Sequence, residues 1–421
     1  MNVYRNRNFL LTYAASFISL FGSKLLMMSY VAYVYAASAS AALASIVFAA
    51  EWMCSLVIGL FGTQFIDRRN AKYLLIKLNA IAALVTLSFA FFTAIDNFRY
   101  AIAIIMLRAL LSHAVSSARI KALVQFFSKE ETDLFSPVFN SSLFIAIALA
   151  YAVGIFIQTV VSFTVIVVID SATFLVAAGL FALVRPNAER LAESTRASHA
   201  AAGHRFDHLK QALSSIARNR NLSSAVFYII LSVTAFQATY EIVMTTVPQI
   251  WFGQGRAGTA LFFMFESIFV TAGAFLYQFL NRRGFITDSN QHALNLGTVA
   301  FAVSVYLLVP QFQHHLYTTL IVINVMVVAI ELVWTHQFKQ MISNTASAQI
   351  ATVTGVQMAM GYTLMGVFAF TFSVIADRWG ITNAIYMNVL LTIVLVAGWE
   401  LLVRGRNTVQ HVQPSKVSVD A

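Results

Sequence analysis

The chain has 421 residues, of which 59% are hydrophobic, 13% aromatic and only 10% charged, and its mean hydropathy is +0.75. Soluble domains carry about a quarter charged residues, so this chain cannot clothe a water-facing surface, and lipid must solvate most of its exterior. The net charge of +10 raises nucleic-acid binding as a reading, which the placement of the cations sets aside below.

The amino terminus sets Arg5 and Arg7 before an apolar run too long for the h-region of a cleaved signal, so it reads as an uncleaved first span. A helix crosses the bilayer with about 20 apolar residues. Helix is the economical choice, because backbone groups in hydrocarbon must bond within their own segment. Candidate spans fall near residues 9–36, 41–62, 72–93, 100–124, 138–160 and 163–184, and then near 222–248, 256–280, 288–310, 316–338, 351–375 and 382–403. The single cysteine, Cys54, lies inside the second of these; it excludes an intrachain disulfide and reads as packing.

One long polar stretch, 185–221, divides the spans six and six. Its 207–218 portion reads either as an amphipathic helix with Lys210 and Arg218 toward lipid phosphates, or as a solvated tether. The predicted organisation is a first bundle over 1–184, a linker over 185–221, a second bundle over 222–403 and a tail over 404–421. With the amino terminus in the cytoplasm, the outer loops hold only Arg99, Arg256 and Arg378. Apart from Lys24 and Arg108 inside spans, the other cations lie on or beside the cytoplasmic side, as the positive-inside rule demands. The basic excess is therefore a topology signal, with both termini cytoplasmic in an inner (plasma) membrane, and nucleic-acid binding is set aside.

An internal echo supports the division. Residues 63–69 read TQFIDRR and residues 277–283 read YQFLNRR, each at the cytoplasmic end of a span, the second and the eighth. A mid-span acid precedes each, Glu51 and Glu266. Two parallel repeats are a transporter architecture, with substrate bound between the halves near the midplane. The fold class expected is all-α integral membrane, with twelve transmembrane helices in two six-helix bundles related by a pseudo-twofold axis.

Three stretches carry a family likeness: RNRNFLLTYAASFISLFGSKLLMMSYVAYVY (5–35), FIDRRNAKYLL (65–75) and LRALLSHAVSSARIKALVQFFSKEE (107–131). On these the chain resembles the major facilitator superfamily, and more narrowly its drug-efflux and siderophore-export branch, which includes macrolide and enterobactin exporters. There are departures. Thr63 stands where the loop motif usually has glycine, Lys24 ends a segment that in many members carries an acid, and only Gly154 remains of a glycine- and proline-rich fifth-span motif. The resemblance implies alternating access between inward-open and outward-open states. It also implies that Asp67, with Arg68 and Arg69, acts as a cytoplasmic gate, the acid meeting the start of the eleventh span in one state. A helix amino terminus attracts negative charge, and the polar run 343–347 before that span suits capping. Arg108 falls where drug antiporters carry an arginine involved in proton coupling.

Ionisable groups inside spans cost roughly 2.5–3.5 kcal/mol each on insertion scales and so mark functional sites. Here they are Lys24, Glu51, Arg108, Asp170, Glu241, Glu266 and Glu331. Lys24 lies about 15 residues into a rising helix and Glu51 about 10 into its descending neighbour, which puts both near the midplane. They read as an ion pair, either static or opened by substrate or a proton. Arg108 has two candidate partners, Glu51 and Asp170. Glu241 and Glu266 are the best proton carriers, since a carboxyl in an alternating cavity can bind and release a proton; Glu331 lies nearer the cytoplasm and reads as a gate residue. Tyr151, Gln237 and Tyr240 are candidate cavity lining, and His113 and His336 read as packed or water-facing rather than as a metal site. Lys24 and Arg108 together lean slightly toward an acidic ligand such as a carboxylate siderophore.

No phosphate-binding glycine loop or Cys/His cluster occurs, and no nucleophile–base arrangement points to an enzyme. No cofactor is expected, the proton gradient being the energy source. The expected function is proton-driven export of a small amphiphilic molecule (drug, antibiotic, siderophore or other secondary metabolite) by a monomer in the bilayer. The alternatives are an importer or uniporter of a nutrient or siderophore, and a membrane receptor or scaffold that transports nothing.

Overall fold

The computed structural model describes residues 6–58, 66, 69–186, 205–286, 291–345 and 350–411, and every regular element among them is a helix. The first half comprises α1 (Arg7–Ser38), α2 (Ala41–Val57), α3 (Ala71–Ser88), α4 (Phe98–Phe126), α5 (Lys129–Val160) and α6 (Phe163–Leu183). A connecting helix, α7 (Arg205–Arg218), precedes α8 (Arg220–Ile250), α9 (Gly255–Arg282), α10 (Gln291–Leu308), α11 (Leu316–Ser343), α12 (Ile350–Trp379) and α13 (Ile381–His411). Ten of these are long and apolar enough to cross a membrane; α2 and α5 contribute shorter apolar stretches, Ala41–Val57 and Ile145–Val160.

Helix starts are written locally. Asn6, Ser40, Asn70 and Asn219 each accept a hydrogen bond from a backbone N–H in the first turn of the following helix. At α5, Ser128 and Glu131 form a capping box, the Glu131 N–H reaching Ser128 Oγ at 3.2 Å and the Ser128 N–H reaching Glu131 Oε2 at 3.0 Å. The helix thus begins at Lys129, ahead of the span expected from 138, because Glu131 in its first turn serves in the cap.

Connections tie one end of the bundle together. Asn8 Nδ2 donates to the Arg185 carbonyl (2.8 Å), Lys72 Nζ to the Val184 carbonyl (2.7 Å), and Asn219 Nδ2 to the Asn344 carbonyl (3.4 Å). The starts of α1, α3 and α8 and the ends of α6 and α11 therefore share one end, which carries the described termini. The connecting helix docks there through buried Ala212 against Leu222, Ala225, Met341 and Val353, with Lys210 and Arg218 exposed. Of the two readings of 207–218, a helix forms, and it packs on the second half.

Inside each half, α1 packs on α5 and α6, α3 on α4 and α6, and α11 on α8, α9 and α10. Across the halves, α2 packs on α12 and α5 on α9, while α1 touches α8 and α9. Lipid tails are as apolar as leucine, so such helices associate through close packing rather than through a hydrophobic drive. Small residues permit this. Gly366 of α12 faces Ala49 of α2, where an added Cβ would lie 3.5 Å from the Ala49 Cα. Large apolar side chains such as Phe91, Phe156, Val160 and Leu401 point outward. At the end opposite the termini, Asp377 in the last turn of α12 bonds to the first turn of α2.

Candidate functional site

Between the two halves lies a cavity of about 380 Å³. Its charged lining is Lys24 (α1), Glu51 (α2), Glu241 (α8), Glu266 (α9) and Glu331 (α11). Five helices from both bundles thus aim ionisable groups into one space. Lys24 Nζ lies 3.6 Å from Glu51 Oε1, and the two side chains keep 29% and 19% of their surface open. Lys24 and Glu51, expected at one depth on neighbouring helices, are thus paired.

The second-half acids are held by their neighbours. Gln237 Nε2 donates to Glu241 Oε1 at 3.2 Å, one helical turn apart, and Tyr240 Oη donates to Glu266 Oε1 across to α9 at 2.9 Å. Glu241 Oε2 is buried without a hydrogen-bonding partner among the described residues. A buried carboxyl oxygen left so is expensive unless it carries a proton or receives a ligand group. The α8 backbone widens into a π-helical segment, Ser232–Gln237, just before Tyr240 and Glu241, and Ser232, Val233 and Gln237 line the cavity. Such bulges within a helix frequently mark functional sites.

Glu331 sits in the same space, with Thr335 Oγ1 donating to its Oε1 at 2.9 Å. Gly273 of α9 brings that helix against Glu331, where an added Cβ would stand 2.9 Å from the Glu331 Cβ. The rest of the wall is aromatic and thioether-rich: Tyr151, Tyr240, Phe48, Trp52, Phe263, Trp334, Tyr362, Met27, Met28 and Met358. Phe263 meets Phe48 and Tyr151 with ring centroids 6.2 and 5.4 Å apart, joining α9 to α2 and α5. Tyr151, Gln237 and Tyr240 were legible as lining; the Trp, Phe and Met residues were not, because such residues are abundant along every span.

Arg108 and Asp170 form a separate site. Arg108 Nη2 lies 2.6 Å from Asp170 Oδ2, Arg108 Nε donates to the same oxygen at 3.2 Å, and the side chains are 2% and 1% exposed. Neither lines the cavity. Of the two partners open to Arg108, the structure selects Asp170 on α6. Gly22 of α1 packs against this pair; an added Cβ there would collide with Thr173 Oγ1 and stand 2.6 Å from Asp170 Oδ1. Glycine at 22 is thus explained by packing on α6.

His113 lies near the cavity wall, its Nε2 3.1 Å from the Glu51 carbonyl oxygen, and His336 is buried beside the Tyr277 ring. No cluster of three or more metal-ligating side chains occurs among the described residues. Asp67 and Arg68, the expected gate, lie outside the described residues. Arg69 is described, and its carbonyl accepts from Lys121 Nζ at 2.7 Å; the same ammonium reaches the Ile66 carbonyl at 3.0 Å.

Comparison with known proteins agrees with this geometry. The family model described as Major Facilitator Superfamily matches residues 12–370. No curated protein matches the chain in sequence. Among solved structures, a bacterial homologue of the human lysosomal transporter Spinster, solved inward-facing and unoccupied, is similar with a TM-score of 0.75 at 11% identity, over 96% of this chain and 98% of that one. The nucleoside transporter NupG gives 0.69 at 10% identity over 94% and 98%, and a D-xylose–proton symporter 0.64 at 13% over 92% and 96%. At such identities the likeness speaks for the fold. A central cavity between two helical bundles, in a chain matched along most of its length, makes this protein a member of the Major Facilitator Superfamily: a multi-pass membrane transporter of a small molecule, not an enzyme.

Proposed function

We propose that the protein exports a small amphiphilic molecule across an inner membrane in exchange for protons, and that both termini face the cytoplasm. The observation that carries this reading is the shared cavity, in which Glu241 and Glu266 from one half face the Lys24–Glu51 pair from the other. A volume of about 380 Å³ fits a drug-sized compound, since small-molecule pockets run from roughly 300 to 1,000 Å³. The aromatic and methionine wall supplies adaptable apolar contact. The carboxyls supply sites where a proton or a cargo charge can reside, but not both at once.

The charge balance changes the reading of the cargo. Four carboxyl side chains and one ammonium line the space, and Arg108 is neutralised elsewhere by Asp170. The lean toward an acidic ligand rests on counting Arg108 as a cavity cation, which it is not. A cationic or neutral amphiphile fits better, with its positive charge near Glu241 and Glu266 and its apolar body against Trp52, Phe263 and Trp334.

Direction is the point at which the neighbours offer a second reading: one is a D-xylose–proton symporter. Both readings are tested with purified protein in vesicles holding a trapped pH indicator. Exchange predicts that adding tetraphenylphosphonium or ethidium on one side drives protons toward that side. Co-transport predicts proton movement with the probe. A pH trace unmoved by a panel of cationic, neutral and anionic amphiphiles contradicts proton coupling in either direction.

A further inference from the structure

The Asp-Arg dipeptide occurs at two places in the chain, 67–68 after α2 and 377–378 at the end of α12. These two helices pack against each other across the halves. They run antiparallel, so the carboxyl end of α12 lies beside the amino end of α2. Resemblance addresses the first Asp-Arg to the start of the eleventh span. The structure shows the second one docked on the start of the second.

The docking is complete at the atomic level. Asp377 Oδ1 accepts from the Ala41 N–H at 2.7 Å, and Oδ2 accepts from the Ala42 N–H at 3.0 Å and from the Ser40 hydroxyl at 2.7 Å. Ser40 Oγ in turn accepts from the Leu43 N–H at 3.2 Å. The first N–H groups of a helix have no partner within it and carry its positive dipole end. Here a carboxylate more than 300 residues away in sequence satisfies two of them and aligns the cap that satisfies a third.

The flanking backbone is shaped for this contact. Ala39, between α1 and α2, is the one non-glycine residue with positive φ among those described (53°), a left-handed conformation that L residues rarely adopt. Its strained turn is held by the Ser40 N–H donating to Ser38 Oγ at 3.2 Å. On the other side Gly380 (φ 85°), three residues after Asp377, follows the end of α12. Yet Asp377 is exposed, and no ion pair covers it among the described residues. Charge-assisted bonds in contact with water are strong enough to bias an equilibrium and weak enough to break within a cycle.

We infer that Asp377 is a positioning residue for transport: a latch that holds the bundle shut at the end opposite the termini by capping α2, and that must let go for the cavity to open there.

The test needs neither cargo nor a proton gradient, so it can fail while proton exchange holds, and the reverse. Spin labels on Arg99→Cys and His314→Cys, in a Cys54→Ser background in lipid nanodiscs, report the separation of the two halves at that end. The expected result is that Asp377→Ala raises the ratio of long to short distances by about tenfold, as loss of charge-assisted bonds implies. Asp377→Asn gives a smaller rise and Asp377→Glu returns the ratio toward that of the parent. Should Asp377→Ala fail to fold, Ser40→Ala, which removes the hydroxyl's bond to the carboxylate and its cap on the Leu43 N–H but keeps the carboxylate, is expected to shift the ratio in the same direction by less. Distances identical to the parent in folded Asp377→Asn and Ser40→Ala overturn the latch, as does a loss of thermal stability with an unmoved ratio.

Discussion

Lys24 and Glu51 meet at 3.6 Å on the wall of the central cavity, on helices of one half, while the acids opposite them, Glu241 and Glu266, belong to the other. Among the described residues, Lys24 is the one cation lining that space. It therefore neutralises Glu51 where an incoming positive charge would otherwise be drawn. Removing it should leave room for such a charge. Lys24→Met is expected to tighten tetraphenylphosphonium binding about tenfold, or ~1.4 kcal/mol, and to leave binding of neutral triphenylphosphine oxide unchanged. Calorimetry on the purified protein checks both, and weaker cation binding in Lys24→Met would contradict the cationic reading.

Glu266 is held by Tyr240 and Glu241 by Gln237, while Glu241 Oε2 has no bonding partner among the described residues. A carboxamide preserves shape and cannot carry the proton. Glu266→Gln and Glu241→Gln are each expected to lower proton-driven transport by at least about tenfold, equivalent to ~1.4 kcal/mol of barrier. Probe binding should persist in at least one of them, with its dependence on pH reduced. Two variants that transport at parental rates would place proton binding elsewhere.

Arg108 and Asp170 lead to a different expectation. Breaking a buried ion pair leaves an uncompensated charge, which costs about 3–5 kcal/mol, whereas replacing both partners by apolar residues is often neutral. Arg108→Ala is thus expected to unfold well below the parent in detergent. The double change Arg108→Leu with Asp170→Leu should recover most of the loss and retain probe binding. A stable Arg108→Ala protein that has lost only proton coupling would return Arg108 to the coupling role implied by family resemblance.

Gly22 gives a packing test of the same region. An added methyl group would collide with the Thr173 hydroxyl beside Asp170, and overpacking of this kind costs about 1–3 kcal/mol. Gly22→Ala should therefore lower the unfolding temperature, and Thr173→Ala in the same chain should restore part of it.

Much of the fold was legible because a helix in lipid must close its own hydrogen bonds over a length fixed by the bilayer. Runs of apolar residues then locate the spans, and a rising and a descending helix give the common depth of Lys24 and Glu51. Depth along an axis says nothing about rotation around it. For that reason the sequence left Arg108 between Glu51 and Asp170 and counted it toward the cavity. The π-helical segment Ser232–Gln237 carried no readable signal, because its residues are ordinary for a span. Asp377 did carry one, the second Asp-Arg of the chain, but in a hydropathy map it lies in a loop beyond a span. The gate around Asp67 and Arg68 falls outside the described residues, so its role stays with the resemblance.

The most direct test follows protons and probe together in vesicles reconstituted with the purified chain. With an imposed pH difference, ethidium should move against the proton flow and accumulate, and collapsing both the pH and the voltage gradients should end accumulation. Accumulation that continues unchanged after both gradients are gone would contradict proton-driven exchange through the cavity between the two halves.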